Sequence, residues 1–230
     1  MFFFSPMYLI LVGPAMLLVA WAQYKVKSTY RKHSGKNAVS GMSGSQLARA
    51  LLDRNGLSNI SVQPVAGELT DHYDPKSKAL RLSEGIFNSR SIAAQGIVAH
   101  EVGHALQDSR GYVPLRIRAS LVPAASFGSS IGPLLVIAGI IFAAGSELSS
   151  ILVNLGIIFF AAAVLFQIVT LPVEFNASQR ALVMLTSGGY VTADETKPAK
   201  QVLNAAALTY VAATLAAVMQ LVYFLLLRRD

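Results

Sequence analysis

Residues 99–107 have the sequence AHEVGHALQ, in which His100 and His104 lie four positions apart and Glu101 follows the first histidine. On an α-helix, residues i and i+4 lie one above the other on the same face, so both imidazoles can reach one ion. Glu101 then lies within reach of a water on that ion. His-Glu-x-x-His on a helix is typical of zinc hydrolases, in which the glutamate is the general base. The stretch therefore predicts a zinc-binding helix.

The alternative interpretation is a pair of hydrogen-bonded core histidines. That alternative is costly here, because the neighbours of the motif are uncharged, among them Ile97, Val98 and Ala99. Gly103, inside the motif, leaves room for another segment to approach closely. The chain has no cysteine, so a metal site must use histidine and carboxylate ligands.

Outward from this motif, the chain is 53% hydrophobic and only 13% charged, about half the usual charged share. Four apolar stretches are long enough to cross a bilayer of about 30 Å, namely residues 1–23, 119–144, 151–172 and 203–227. The first stretch is interpreted as a retained anchor, because it lacks the basic start and the small-x-small cleavage site of a signal peptide. The composition therefore predicts a membrane protein with four spans.

The basic residues predict the orientation. Residues 24–118 hold fourteen Lys and Arg and residues 173–202 hold three, whereas residues 145–150 hold none. Because positive charge stays in the cytoplasm, both polar regions are predicted to face inward. This topology puts the two arginines at the C-terminus outside, a conflict that the more numerous basic residues outweigh. The basic run at 25–36, KVKSTYRKHSGK, either binds anionic lipid or fixes this topology, and the second is favoured. No nucleic-acid motif accompanies the net charge of +7.

The first polar region has recognisable helix and strand patterns. Residues 43–56 have an N-cap serine, helical apolar spacing and a final glycine. Residues 59–65 and 78–83 are predicted to be extended, with an Asp-Pro turn between them, and residues 89–108 have helical spacing. The predicted fold class is an α+β membrane protein, with four transmembrane helices and a small cytoplasmic zincin-like domain of helix, short sheet and His-Glu-x-x-His helix.

A third metal ligand must come from elsewhere in the chain. Metzincins place Gly at 107 and His at 110, and Gln107 and Arg110 exclude that class. Asp108 is about 12 Å along the helix from His100, too far for the same ion. Glu147 falls in the turn predicted on the opposite side of the membrane.

Glu174 is the favoured third ligand. It directly follows the third apolar stretch, and a hairpin of spans 119–144 and 151–172 returns the chain to the side that holds His100. The alternative is that Glu174 is a dipole partner at a helix start. Glu84, Asp194 and Glu195 are less favoured candidates.

Three stretches resemble the YugP-like neutral zinc metallopeptidases of bacterial membranes: residues 81–108, 114–123 (PLRIRASLVP) and 171–182 (LPVEFNASQRAL). The resemblance covers nearly the whole chain, and it extends more distantly to HtpX-type membrane peptidases. It implies a gluzincin site with His100, His104 and Glu174 on zinc and Glu101 as base. The resemblance is to proteins of bacterial membranes, and a multi-pass protein of the plasma membrane is expected. Because the predicted site lies at the inner bilayer surface, the expected substrates are membrane-associated polypeptides on the cytoplasmic side.

The sequence departs from the gluzincin pattern at Ser178. Gluzincins usually carry an aspartate four residues after the glutamate ligand, where it supports a ligand histidine; Asn176 or Asp108 could share that role. The resemblance further implies that an edge strand within residues 78–84 pairs with the substrate backbone. Candidates for the donor to the tetrahedral oxyanion are His72, Tyr73, Arg180 and Tyr190.

Two other functions compete with this prediction. In an intramembrane protease of the site-2 type the motif lies within a span, but the apolar run at 92–106 has only fifteen residues. The second competitor is a zinc-stabilised, non-proteolytic membrane scaffold that binds a partner protein, which would have no need of Glu101. Neither a regulatory membrane partner nor a homo-oligomer is specified by the sequence.

Overall fold

A computed structural model of the chain describes residues 5–142 and 146–228. Within these residues the elements are α1 (Pro6–Leu11), α2 (Gly13–Ser34), α3 (Gly44–Arg54), β1 (Ser61–Val65), β2 (His72–Asp74), β3 (Ala79–Ser83), α4 (Glu84–Phe87), α5 (Ile92–Ser109), α6 (Val113–Phe142), α7 (Glu147–Ser187) and α8 (Ala193–Leu227). The chain divides into two compact units. The apolar unit comprises Met1–Ala22, Arg116–Pro172 and Thr209–Asp230, and the polar unit comprises Gln23–Leu115 and Val173–Leu208.

The helix predicted at residues 43–56 is α3 of the polar unit. Ser43 caps it by accepting a hydrogen bond from the Gln46 N–H, and the Gln46 side chain bonds back to the Ser43 N–H. This reciprocal capping box satisfies two otherwise unpaired donors. Gly56 follows the helix with a positive φ of 74°, a conformation that favours glycine. The apolar face of α3, which includes Leu47, is buried in the core of this unit.

A small mixed sheet adjoins this core, and its strand order is β1-β3-β2. The extended segments predicted at 59–65 and 78–83 are confirmed as β1 and β3, which pair in parallel. The third strand, β2, pairs antiparallel with β3 and occupies residues assigned to a turn in the sequence. The expectation that residues 78–84 provide an edge strand is wrong, because β3 has a partner on each side; the edges of the sheet are β1 and β2.

The helix predicted at residues 89–108 is α5, which begins after the N-cap Ser91. Most of its residues are buried, so α5 runs through the core of the polar unit rather than along its surface. A face of α7 packs against it, with Ala177 and Ala181 fully buried. The predicted close approach at Gly103 is confirmed, since a Cβ there would lie 2.7 Å from the Ala177 carbonyl oxygen.

In the apolar unit, α6 and α7 approach each other through small residues. A Cβ added at Gly156 would lie 2.6 Å from the Gly132 carbonyl oxygen, and one at Gly128 would meet the Phe159 carbonyl. Such contacts between backbones are typical of helix pairs in membranes, where dispersion contacts rather than water exclusion drive association.

Three helices of the described residues are long and apolar enough to cross a membrane: α6, α7 and α8. They contain the predicted segments 119–144, 151–172 and 203–227, apart from residues 143 and 144, which lie outside the described residues. The prediction of a fourth span at 1–23 is wrong within the described part, residues 5–23. The helix is interrupted at Val12, between α1 and α2 and two residues before Pro14, which has no backbone N–H. The remainder of α2 soon becomes polar, with Lys25 and Lys27 in its second half.

Candidate metal centre

Helix α5 places His100 and His104 one turn apart on one face, with ring centroids 4.7 Å apart and the rings nearly perpendicular. Glu174, on α7, lies opposite them. Its Oε2 is 3.1 Å from His100 Nε2 and 3.6 Å from His104 Nε2. One ligand atom from each of the three side chains falls within 4.8 Å of the others. The structure therefore brings together the three residues that the sequence predicted as a ligand set.

This cluster is almost closed to solvent. The Glu174 side chain is 1% exposed, and each imidazole is 12% exposed. Helix α7 reaches this depth because Gly103 offers no side chain where the Ala177 backbone crosses α5. Glu174 and Ala177 are three positions apart, hence on the same face of α7. The glycine inside the motif thus determines how near the carboxylate of Glu174 comes to the histidines.

A hydrogen bond to Nδ1 orients each ligand imidazole. Ser178 Oγ lies 3.2 Å from His100 Nδ1. Gln107 Oε1 lies 3.0 Å from His104 Nδ1. With Nδ1 engaged on both rings, Nε2 is the nitrogen that each histidine presents to Glu174 and to a metal.

The amide of Gln107 determines that His104 carries a proton on Nδ1. Its Nε2 donates to the Val173 carbonyl oxygen at 2.8 Å and to Asn176 Oδ1 at 3.1 Å. The Gln107 Oε1 must therefore be the atom that faces His104, and because it can only accept, His104 Nδ1 carries a proton. Sequence reasoning used Gln107 only to exclude metzincins. Its position three residues after His104 on the same helix is the signal that could have identified it.

Ser178, where the sequence departs from the gluzincin pattern, lies against His100, whereas Asn176 and Asp108 have other hydrogen-bond partners. Asn176 bonds to Gln107 and so reaches His104 only through that amide. Asp108 accepts from the Tyr73 hydroxyl at 2.7 Å and from Lys78 Nζ at 2.6 Å. The direct partner of His100 is thus a neutral hydroxyl, where gluzincins usually have a carboxylate.

Glu101 is buried beside the cluster, with 8% of the residue exposed. Its Oε2 accepts a 3.1 Å hydrogen bond from the backbone N–H of Tyr73. Burial raises the pKa of Glu101, and the neighbouring charges of His100 and His104 counteract this rise only in part. The raised pKa brings Glu101 nearer to the range in which a general base takes up a proton, and the side chain lies next to a potential metal site.

The remaining candidates lie elsewhere. Glu195 bonds to the Val39 N–H at 2.7 Å and to the Thr192 N–H at 2.9 Å, as a cap of α8. Arg180 is held by Asn176, and His72 bonds to the Thr70 carbonyl oxygen on the exposed side of β2. Of the four proposed oxyanion donors, Tyr73 is the one with a hydrogen bond to Glu101.

The donor set fits zinc. Two imidazole nitrogens and one carboxylate oxygen are the three protein ligands of a common catalytic zinc site, in which a fourth position stays open for water or substrate. The buried carboxylate of Glu174, close to two Nε2 atoms, supplies the negative charge that a dication needs in a poorly solvated place.

Comparison with known proteins agrees with this geometry. The model of the family described as "Putative neutral zinc metallopeptidase" matches residues 8–229, and the chain belongs to this family, whose metal is zinc. The chain is also 45% identical over 221 residues to the "Putative membrane protease YugP" of Bacillus subtilis (strain 168), a match that covers 96% of each chain. The resemblance stated from the sequence is thereby confirmed. No solved structure matches the chain significantly.

Proposed function

We propose that the chain is a zinc endopeptidase of the gluzincin type, embedded in the bacterial plasma membrane, that hydrolyses membrane-associated polypeptides on the cytoplasmic side. The observation that supports this most directly is the convergence of His100, His104 and Glu174 beside the buried Glu101. A site that only stabilised the fold would have no use for a second buried carboxylate, whose desolvation is costly. The non-proteolytic scaffold is disfavoured for this reason.

Each residue has a distinct role in the proposed reaction. His100, His104 and Glu174 would hold zinc, which when bound would polarise the scissile carbonyl and make a water acidic. Glu101 takes a proton from the attacking water and delivers it to the amine nitrogen that leaves. Its raised pKa suits a group that must both accept and return a proton. Ser178 and Gln107 keep the imidazoles in the orientation that binding requires.

The substrate backbone is expected at β2 rather than at β3. Strand β2 has no strand partner on the side away from β3, and the Tyr73 N–H points from β2 to Glu101. A polypeptide added along this open side would run next to the general base, and it would be recognised through its backbone rather than its side chains. We therefore expect broad sequence preference.

The three apolar helices and the distribution of charge support the membrane setting. Glu174 follows Pro172 by two residues on α7, so the proposed ligand comes directly after the most apolar candidate span. The seventeen basic residues of 24–118 and 173–202 favour the cytoplasm for both polar segments. Polypeptides held at that surface would reach Glu101 at high local concentration.

The substrate class can be tested in proteoliposomes. One peptide sequence is presented either on a lipid anchor or free in solution, and a chelator-treated sample measures the metal-independent background. We expect at least about tenfold faster zinc-dependent cleavage of the anchored form, from its effective concentration. Equal rates, or cleavage of the soluble form alone, would overturn the membrane-associated substrate class while leaving the peptidase activity intact.

The orientation can be tested independently, because the chain has no cysteine. Single cysteines introduced as Glu147→Cys and Ser77→Cys are expected to react with a membrane-impermeant thiol reagent from opposite sides of the membrane. Labelling of both from the same side would contradict the proposed topology. Labelling of Ser77→Cys from outside only would place the site on the outer face.

A further inference from the structure

The polar unit contains a cavity of about 420 Å³ that shares no residue with the metal centre. Helix α2 lines it with Lys25, Ser28, Thr29, Lys32 and His33. These residues follow the spacing i, i+3, i+4, i+7 and i+8, so they occupy one face of the helix. Helix α8 forms the opposite wall.

The polar groups of this cavity suit an anion. Lys25 and Lys32 stand two turns apart, about 10 Å along α2. From α8 come the amides of Gln201 and Asn204, and no carboxylate is among the lining residues. The Ser28 hydroxyl is already committed to the Lys25 carbonyl oxygen, so the ammonium groups and the amides are the main donors. Donors without a counter-charge, two of them cationic, favour an oxyanion.

His33 provides an independent observation. It lines the cavity but is 2% exposed, and its Nε2 lies 3.0 Å from Gln201 Oε1. Its Nδ1 is buried and has no hydrogen-bond partner among the residues that the structure describes. Because Gln201 Oε1 can only accept, His33 Nε2 carries the proton and Nδ1 is left as an unpaired acceptor. Buried polar atoms in native proteins are nearly always paired, so this acceptor indicates a donor from outside the chain, such as a water or a headgroup hydroxyl, rather than the anionic oxygens themselves.

The composition of the two helices indicates where that partner comes from. Before Lys25, α2 is mainly apolar (GPAMLLVAWAQY), and after Leu208, α8 is almost entirely apolar up to Leu227. The cavity therefore lies where both helices change from apolar to polar, the level at which lipid headgroups meet basic side chains. We propose that this cavity binds a phosphate-bearing anion, supplied by an anionic lipid headgroup or by solution.

The test uses the full-length protein, purified in non-ionic detergent and depleted of lipid. Isothermal titration calorimetry measures binding of short-chain phosphatidylglycerol, of the matching diacylglycerol without phosphate, and of inorganic phosphate. We expect phosphatidylglycerol to bind and the diacylglycerol to bind much more weakly. Phosphatidylglycerol binding without phosphate binding would identify a lipid headgroup as the source, whereas binding of both would identify phosphate itself as sufficient.

A matched pair of variants tests the location. The double variant Lys25→Gln, Lys32→Gln removes the two cavity ammonium groups, and both side chains are exposed, so the fold is expected to persist. We expect its affinity for phosphatidylglycerol to fall about 30-fold, at about fivefold per lysine. The control Lys27→Gln, Arg31→Gln removes the same charge from exposed positions of α2 outside the cavity, and we expect less than about a twofold change.

Three results would overturn the proposal. The first is that none of the phosphate-bearing probes binds. The second is equal binding of the diacylglycerol and of phosphatidylglycerol. The third is an equal loss of affinity in the two double variants, which would show that general basic charge attracts the lipid.

Discussion

Gly103→Ala is the smallest change that should separate the two halves of the metal centre. The new Cβ would lie 2.7 Å from the Ala177 carbonyl oxygen and 3.2 Å from its Cα, whereas ordinary contact begins at 3.4 Å. The obstacle is backbone, which cannot rotate away as a flexible side chain can. Helix α7 must therefore move from α5 by about 0.7 Å, and Glu174 moves with it.

A displacement of this size matters more for zinc than for the fold. Ligand distances in zinc sites are held to about 0.2 Å, so a shift of about 0.7 Å leaves Glu174 poorly placed. We expect zinc affinity to fall about 10- to 100-fold, as happens when a group that orients a ligand is lost. Overpacking lowers the free energy of unfolding by about 1–3 kcal/mol, and the better helix propensity of alanine raises it by about 1 kcal/mol. The free energy of unfolding should therefore fall only modestly.

Gly96→Ala is the matched control, because it makes the same substitution on the same helix. A Cβ at Gly96 would lie 3.7 Å from the Ala199 carbonyl oxygen, an ordinary contact. We expect this variant to keep the parental zinc affinity, with a melting temperature equal or slightly higher. Zinc affinity is measured by competition with a chromogenic chelator, and circular dichroism of the same samples checks the fold. Parental zinc affinity in folded Gly103→Ala would refute the argument.

Three further predictions concern the ligands. Glu174→Ala should lower zinc affinity by more than about 100-fold, since loss of a group that merely orients a ligand already costs about 10–100-fold. Glu195→Ala removes a buried carboxylate that bonds to the Val39 N–H, away from the metal centre, and should leave zinc affinity unchanged. Similar affinities in the two variants would exclude Glu174 as a ligand. Ser178→Ala should lower zinc affinity about tenfold and Ser178→Asp should preserve it, whereas unchanged affinity in the alanine variant would show that the hydrogen bond to His100 is dispensable. The third prediction concerns pH: burial lowers the pKa of His104, but Glu174 and Glu101 outweigh this and raise it above its usual value. Zinc must then displace a proton, so affinity measured between pH 8 and pH 6 should fall by about tenfold per pH unit below that pKa; a constant affinity would contradict it.

Local patterns were sufficient for the elements that form the first half of the site. The i, i+4 spacing of His100 and His104 lies within one helix, and the cap at Ser43 lies within another. Glu174 is seventy positions beyond His104, so no local pattern links the two residues. The prediction of Glu174 depended on the hairpin of two spans, which returns the chain to the side of the membrane that holds His100. The family pattern identified Ser178 as a departure and left the support of the ligand histidine open among Ser178, Asn176 and Asp108. The role of Gln107, which lies one turn from His104, was not predicted.

Features that depend on pairing between distant segments could not be predicted. The strand order of the sheet is not encoded in any single strand, so β3 was expected at the edge when it lies in the middle. Strand β2 has three residues, too few for alternation to be visible, and its Asp-Pro ending indicated a turn. The apolar composition of residues 1–23 predicted a span, but composition alone does not show that the helix is interrupted at Val12, two residues before Pro14.

The central claim is that Glu101 acts as the base of a zinc peptidase, and Glu101→Gln tests it most directly. Glutamine has nearly the same shape and can still accept the hydrogen bond from the Tyr73 N–H, so the fold and the three ligands should remain. Zinc content and cleavage of the lipid-anchored peptide are measured on one preparation beside the parent. We predict parental zinc content together with a loss of cleavage of about 10²–10⁴-fold. Cleavage at the parental rate by the zinc-loaded Glu101→Gln protein would contradict the account.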